Sequence, residues 1–161
     1  YRDCARKGMV FHYVSGSPWQ LYVPLVEFLR TEGLPTGSFD LEHFRLKDPS
    51  ALGILQSQQA TKLQAIEPIM EAFPERRFIL IGDSGEQDPG IYTKVARDHG
   101  QQVVAVFIRN VSGEKVVSAR FQTLWKGLDD SCFRLFDRPE DLRPIVDKIS
   151  HLYGAGSDPG P

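Results

Sequence analysis

The chain has 161 residues, of which 41% are hydrophobic and 25% are charged, with a formal net charge of −2 at pH 7. This balance is typical of one globular domain and gives no bulk attraction to nucleic acid, so we expect no nucleic-acid partner. No apolar run approaches membrane-spanning length, and Cys4 and Cys132 lack metal-ligand or redox spacing. These features predict free thiols, a cytoplasmic location and no transmembrane segment.

The first predicted elements are the end of a helix and a buried strand. The opening letters YRDCARKG are typical of a last helical turn that stops at Gly8, which predicts further residues upstream. The run MVFHYV at residues 9–14 predicts a buried strand, with His12 as a packed or hydrogen-bonded core residue.

The segment SGSPWQ predicts the start of the next helix. Ser17 is a good N-cap residue, Pro18 fits the first helical position, and Gly33 is expected to end the helix. Pro24 inside this helix predicts a kink.

The rest of the chain alternates between strands and helices. We expect a short strand at 38–46, a polar connection at 47–57, a helix at 58–73 disturbed by Pro68, a strand at 78–81, a helix at 89–99, a strand at 103–108, a short helix at 119–125, a weak strand at 133–136 and an amphipathic helix from Pro139. Alternation with continuous apolar strands predicts an α/β fold whose parallel sheet has helices on both faces. Residues 1–153 are expected to form one domain, followed by a flexible tail at 154–161.

Two carboxylates follow the strand in the letters FILIGDSGEQDP. Asp83 follows Gly82 directly, and Asp88 precedes Pro89. Ligands of parallel sheets bind outside the carboxyl ends of the strands, and paired carboxylates suit a hard divalent cation such as Mg²⁺. The alternative is a turn in which Asp88 is only a helix N-cap.

Ser15 ends the first predicted strand and is a candidate phosphate ligand. Its hydroxyl, together with the backbone amides of Gly16 and Ser17 at a helix N-terminus, would hold a phosphate. The alternative is that both serines only cap the helix and that Gly16 serves backbone conformation alone.

Two cations are further candidates. Lys62 lies beside the apolar stripe of its helix and would neutralise a phosphate or a nucleophilic carboxylate, unless it is an ordinary solvated lysine. Arg109 ends the third apolar strand and is a candidate phosphate contact, with a salt bridge at the rim as the alternative. Trp19 and Tyr22 favour core packing, with a pocket wall or a lipid contact as the alternative.

Ser15, Lys62, Asp83 and Asp88, in that order, resemble the second, third and fourth motifs of the haloacid dehalogenase (HAD) superfamily of phosphotransferases. The segments FHYVSGSPWQLYVPLVEFL, TK at 61–62, FPERRFILIGDSGEQDPGIY and VVAVFIRNV resemble the catalytic domain of App1-type phosphatidate phosphatases. The resemblance covers most of residues 8–111 and weakens after about residue 118.

The resemblance implies a HAD-like (Rossmannoid) sheet and lipin-like chemistry, which is Mg²⁺-dependent hydrolysis of phosphatidate to diacylglycerol and phosphate. It implies that Ser15 binds the transferring phosphate, that Lys62 stabilises the nucleophile and the phosphate, and that Asp83 and Asp88 hold Mg²⁺. The partner would be a phosphorylated lipid or another phosphomonoester, with transient contact to a membrane surface.

The family's first motif, DxDx(T/V), is absent from the sequence. Asp129 and Asp130 are the one adjacent aspartate pair, but no strand precedes them and they stand at the wrong end of the chain. The resemblance places the motif upstream, on a central strand between the strands that end at Ser15 and Asp83. We therefore expect the isolated chain to lack catalysis through an aspartyl-phosphate. The alternative is a non-catalytic module that binds a phosphate or phospholipid, whereas the residue order does not fit a receiver-like signalling domain.

Overall fold

The computed structural model describes residues 1–42, 51–129 and 131–153. They fall into two compact units. The first unit is Tyr1–Ile69 with the chain from Ser150, and the second unit is Met70–Ile149. Each unit is an α/β structure in its own right.

The first unit is built around two parallel strands. Its elements are α1 (Arg2–Arg6), β1 (His12–Pro18), a 3₁₀ turn (Trp19–Leu21), α2 (Tyr22–Thr31), β2 (Ser38–Glu42) and most of α3 (Ala51–Ala72). Parallel strands need a crossover connection, which α2 supplies. Ser15 pairs with Leu41, and the register is irregular between Ser15 and Pro18. The predicted end of the first helix is confirmed, because Gly8 follows α1 with a φ of +78°.

Aromatic contacts hold the two strands of this unit together. The rings of Tyr13 and Phe39 stack with centroids 5.1 Å apart, and Tyr22 meets Phe39 edge-on at 5.5 Å. The Tyr13 hydroxyl donates a hydrogen bond of 2.7 Å to the Pro35 carbonyl. Such aromatic pairs stabilise a fold by about 0.5–1.5 kcal/mol beyond the contribution of their buried area. The contact between Tyr22 and Phe39 links α2 to the sheet.

The second unit contains a three-stranded parallel sheet. Its elements are β3 (Phe78–Asp83), α4 (Asp88–Asp98), β4 (Val103–Arg109), α5 (Ala119–Leu124), β5 (Phe133–Phe136), a 3₁₀ turn (Pro139–Leu142) and the start of α6 (Arg143–Tyr153). The strand order is β3-β4-β5. The central strand β4 is the most buried, with Val106 and Ile108 fully inaccessible to solvent. A continuous apolar run is what a parallel strand covered on both faces requires.

The α/β class and the parallel pairing are confirmed, since all three observed strand pairs are parallel. The strands of the described residues form two separate sheets. The central strand implied by the family resemblance is not among these five strands, and it stays a prediction, as does the HAD-like assignment.

The prediction for the SGSP segment is wrong. β1 begins at His12 rather than residue 9 and continues through Pro18, so Ser17 and Pro18 belong to a strand and not to a helix start. Proline fixes φ but leaves ψ adjustable, and Pro18 takes an extended ψ of 142° while it pairs with Glu42. His12 is exposed rather than in the core, although it shares a hydrogen bond of 2.6 Å with the Ser38 hydroxyl.

Three helix boundaries also differ from the prediction. Because α2 begins at Tyr22, Pro24 falls in its first turn, where a missing N–H removes no helical bond and the expected kink has no cause. Residues 51–57 are helical rather than a polar connection. The last helix opens as a 3₁₀ turn before α6. The predictions for residues 43–50, Asp130 and 154–161 lie outside the described residues.

Both cysteines are free thiols, as predicted. Burial is the main cause that raises the pKa of Cys4 and of Cys132 above the ordinary value of a thiol. A raised pKa lowers the thiolate fraction at neutral pH, so neither side chain has the character of a nucleophile.

Candidate functional site

The turn from Asp83 to Asp88, here called the carboxylate turn, begins where β3 ends. Asp83 Oδ1 accepts hydrogen bonds from the amides of Gly85 at 2.9 Å and Glu86 at 3.2 Å. Asp88 Oδ2 accepts a hydrogen bond of 3.2 Å from the Asp83 amide. Backbone donors at the carboxyl end of a strand therefore hold both carboxylates within one turn.

Asp88 is not the N-cap of α4, so the capping alternative is wrong. Gln87 occupies the N-cap position, and Asp88 is the first helical residue. Only 5% of Asp88 is exposed. A buried carboxylate requires compensating donors or cations, which makes Asp88 more than a surface cap.

Gly82 provides the space that Asp88 occupies. A Cβ atom at position 82 would lie 2.3 Å from Asp88 Oδ2 and 2.6 Å from Asp88 Cβ. Both distances are far inside van der Waals contact. The glycine before Asp83 is thus a steric requirement of the carboxylate turn.

Ser84 connects the carboxylate turn to the loop after β4. Its side chain is buried, and its Oγ accepts the amides of Val111 at 3.0 Å and Ser112 at 3.1 Å. The hydroxyls of Ser84 and Ser112 are 2.7 Å apart. Because Ser112 donates its single hydroxyl hydrogen to Glu114 at 2.9 Å, Ser84 is the donor between the two serines.

Arg120 of α5 contacts the same turn through its guanidinium group. Nη1 donates to the Ser84 carbonyl at 3.0 Å, and Nη2 donates to the Glu86 carbonyl at 3.3 Å. Nη1 also forms an ion pair of 2.6 Å with Glu114 Oε1. The Ser112 hydrogen bond is the main cause that lowers the pKa of Glu114, and Arg120 lowers it further.

Arg109 lies at the same edge of the sheet as Asp83, its register partner on β3. The Arg109 carbonyl accepts the Ser84 amide at 2.9 Å, while the Arg109 side chain is exposed. The second unit therefore brings Asp83, Asp88 and Arg109 to one edge.

In the first unit, Ser15 and Ser17 form a turn of their own. Ser15 Oγ accepts the Ser17 amide at 3.1 Å and donates to Ser17 Oγ at 3.0 Å. The Ser17 amide is thus already used, and α2 begins only at Tyr22. The expectation of open helix-terminal amides beside Ser15 is wrong, because strand pairing extends through Pro18. A Cβ at Gly16 would meet only Glu42 Oε2 at 3.8 Å, so the described residues do not require glycine there.

Lys62 is buried, with 8% of its surface exposed. The alternative of a solvated surface lysine is therefore wrong. Burying an ammonium group is unfavourable unless anionic or polar partners compensate it, so its position on α3 has a specific electrostatic reason.

The first unit also contains a shallow pocket of about 240 Å³. It is lined by Trp19, Tyr22, Phe39, Asp40 and Leu41. Trp19 is 53% exposed and Tyr22 is 51% exposed. The preference for core packing of these two aromatics is wrong, and the pocket-wall alternative agrees with the structure. One lining residue, Leu41, is the strand-pairing partner of Ser15.

The residues that shape the carboxylate turn from outside were missed by sequence reasoning. Ser84 directly follows Asp83 in the sequence GDSG, and this position indicated a role in the turn only weakly. Arg120 carried no such signal, because its contact with Ser84 spans 36 residues. Glu114 carried none either, because it reaches the turn only through Ser112 and Arg120.

Two absences hold for the described residues. That part of the chain contains no group of three or more His, Cys, Asp or Glu side chains that could hold a metal ion. Its helices also include none that is long and apolar enough to cross a membrane.

The fold and the site define a parallel α/β protein with a hydroxyl-rich segment at the end of β1 and a carboxylate-rich turn after β3. The family model of the phosphatidate phosphatase APP1 catalytic domain matches residues 1–110. The chain therefore belongs to the App1 phosphatidate phosphatase family.

Two curated relatives are similar to this chain. The uncharacterised protein C29B5.04c of Schizosaccharomyces pombe is 33% identical over 115 residues, which cover 71% of this chain and 18% of that protein. The phosphatidate phosphatase APP1 of Saccharomyces cerevisiae is 36% identical over 99 residues, which cover 62% of this chain and 16% of that protein. The chain thus spans less than a fifth of each relative. No solved structure matches it.

Proposed function

We propose that this chain forms the phosphate-binding and cation-binding part of a Mg²⁺-dependent phosphatase that converts phosphatidate and water to diacylglycerol and phosphate. The observation that carries the proposal is the carboxylate turn in a member of the App1 family. Two backbone-held carboxylates at the carboxyl end of a parallel strand are suited to this chemistry.

The carboxylate turn fits a hard divalent cation. Mg²⁺ takes one or two protein carboxylates and keeps water and substrate phosphate oxygens as its other ligands, and Asp83 and Asp88 supply that donor set. When bound, such a cation supplies charge neutralisation and orientation for the phosphate group.

The remaining roles follow the family resemblance. Ser15 binds the transferring phosphate, and its hydroxyl can rotate away from Ser17 toward a phosphate oxygen. The ammonium group of Lys62 stabilises the attacking carboxylate and the phosphate, which is consistent with its burial. Arg109, whose side chain is exposed at the same edge as Asp83, contributes a further phosphate contact.

The nucleophile of the proposed reaction is an aspartate in a DxDx(T/V) motif upstream of Tyr1. No DxD triplet occurs in the 161 residues. An aspartyl-phosphate intermediate divides phosphate transfer into two displacements, so this chain by itself is not expected to turn over substrate.

The pocket lined by Trp19 and Tyr22 favours a lipid substrate over a soluble phosphomonoester. Trp19 and Tyr22 have apolar rings with polar tips, as side chains at membrane–water interfaces commonly do. The proposal includes transient contact with a membrane surface, and the free thiols favour a cytoplasmic location.

The experiment is phosphate release from phosphatidate vesicles by the complete protein, with and without EDTA. We expect release that EDTA abolishes and Mg²⁺ restores. Asp88→Asn removes a carboxylate charge at constant size, and should lower the apparent Mg²⁺ affinity by at least about 10-fold. Release that is insensitive to EDTA would refute the cation-dependent mechanism.

The second candidate is a non-catalytic module that would bind a phosphate or phospholipid through the same Ser15, Lys62 and Asp83 side chains without a nucleophile. The same assay separates the two functions. A complete protein that binds phosphatidate vesicles but releases no phosphate at any Mg²⁺ concentration is such a module.

A further inference from the structure

We infer that Arg120 is a positioning residue that fixes the carboxylate turn from the side opposite to the Asp83 carboxylate. The turn is held on one face by Asp83, which accepts two of its amides. On the other face, the Arg120 guanidinium holds the Ser84 and Glu86 carbonyls of the turn. The consequence for cation binding rests on the proposed function.

One peptide plane carries this coupling. The Ser84 carbonyl and the Gly85 amide belong to the same rigid peptide unit. Arg120 donates to that carbonyl at 3.0 Å, and Asp83 Oδ1 accepts that amide at 2.9 Å. A cation and an anion thus bind opposite ends of one dipole and polarise it cooperatively. A change at Arg120 is transmitted to Asp83 without direct contact between the two side chains.

Glu114 and Ser84 complete a closed ring of hydrogen bonds. The Ser84 hydroxyl donates to Ser112, Ser112 donates to Glu114, Glu114 pairs with Arg120, and Arg120 returns to the Ser84 carbonyl. A complete ring fixes each member more firmly than a chain with open ends. Glu114 also neutralises the guanidinium, which would otherwise repel a cation at the turn.

α5 places Arg120 at this position through its buried face. The neighbouring Phe121 is fully buried, and its ring lies 4.7 Å from that of Trp125. The ring of Trp125 in turn lies 5.2 Å from Phe133 of β5. Arg120 is therefore anchored to the sheet that bears the turn, which a positioning residue requires.

Arg97 offers a matched control. Its Nη2 donates to the carbonyls of Leu124 at 2.8 Å and Lys126 at 3.3 Å, so it also joins two backbone carbonyls within the second unit. These carbonyls are remote in sequence from the carboxylate turn. Arg97→Gln removes the same chemical group with the same number of carbonyl contacts.

The first readout needs neither metal nor substrate. In the complete protein without added metal, Arg120→Gln should speed hydrogen exchange of the amides of Gly85 and Glu86 by about tenfold or more, whereas Arg97→Gln should not. Arg120→Lys should lie between wild type and Arg120→Gln, because an ammonium keeps the charge but not the planar fork. Equal exchange in Arg120→Gln and wild type would overturn the positioning role.

The second readout is the Mg²⁺ concentration for half-maximal phosphate release. Arg120→Gln should raise it about tenfold, and Arg97→Gln should leave it unchanged. Equal shifts in both variants would overturn a specific role of Arg120 while the proposed function stands. A wild-type protein that needs no Mg²⁺ would refute the proposed function, and hydrogen exchange alone would then decide whether Arg120 holds the turn.

Discussion

Replacement of Gly82 by alanine tests whether Asp88 is packed against the backbone of β3. The added Cβ would lie 2.6 Å from Asp88 Cβ and 2.7 Å from Asp88 Cγ. These atoms are anchored to the first residue of α4, so a rotation of the carboxylate alone cannot relieve the overlap. The start of α4 must move, and the bond between the Asp83 amide and Asp88 Oδ2 must lengthen or break.

The expected loss of stability follows from two contributions. Overpacking a dense site destabilises by about 1–3 kcal/mol, and a lost hydrogen bond to a charged group by about 1.5–3 kcal/mol. Because the Asp83–Asp88 bond is long at 3.2 Å, we expect a combined loss of about 2–4 kcal/mol in the free energy of unfolding of the second unit.

Hydrogen exchange of the β4 amides measures this loss, since the most buried strand exchanges only when the unit opens. A loss of that size speeds exchange of the amides at 106–108 by roughly 30- to 700-fold. Gly90→Ala is the matched control, because a Cβ at Gly90 meets nothing within 4 Å and alanine favours a helix. We expect that variant to gain about 0.5–1 kcal/mol. Equal stability of Gly82→Ala and wild type would refute the steric argument.

Three further predictions concern the proposed site and its network. Lys62→Met keeps a buried side chain of similar length without its charge, and should lower kcat for phosphate release by about 100-fold or more at unchanged circular dichroism. Trp19→Ala should raise KM for phosphatidate vesicles several-fold and leave KM for a soluble phosphomonoester unchanged, and equal KM shifts for both substrates would argue against a lipid pocket. The Ser112 hydrogen bond and Arg120 hold the pKa of Glu114 below its ordinary value, so ionised Glu114 stabilises the native state above that range. This contribution is lost as the pH falls through the lowered pKa, so the protection of the amides at 84–86, measured relative to their intrinsic exchange rates, should fall in acid in wild type but not in Glu114→Gln.

Local patterns predicted most of the second unit. The strands at 78–81, 103–108 and 133–136 and the helices at 89–99 and 119–125 all occur within one or two residues of the predicted bounds. These strands are continuous apolar runs in a sheet, so their burial and their local sequence favour the same structure.

The first unit was predicted less well, because strand pairing overrode the local preference of the SGSP segment. Serine followed by proline favours a helix start. Pairing of Pro18 with Glu42 instead extends β1 and leaves the start of the helix to an uncapped 3₁₀ turn at Trp19. The competing interaction lies 24 residues away, and no local pattern reports it.

For the same reason, the sequence predicted some of the candidate residues and missed others. The spacing of Asp83 and Asp88 is short enough that one turn after a strand had to bring them together. The burial of Lys62 depends on tertiary packing, and its position beside an apolar stripe indicated that burial only weakly. Arg120 reaches the turn across 36 residues, so only the structure reveals it.

Contacts from within the second unit shape the carboxylate turn. Gly82 makes room for Asp88, and Asp83 and Arg120 hold opposite sides of one peptide plane. Under the proposed function, a cation would bind a turn whose backbone is already held in place, which favours affinity. Variants should therefore separate the two effects: Arg120→Gln should lower cation affinity more than stability, whereas Gly82→Ala should lower both.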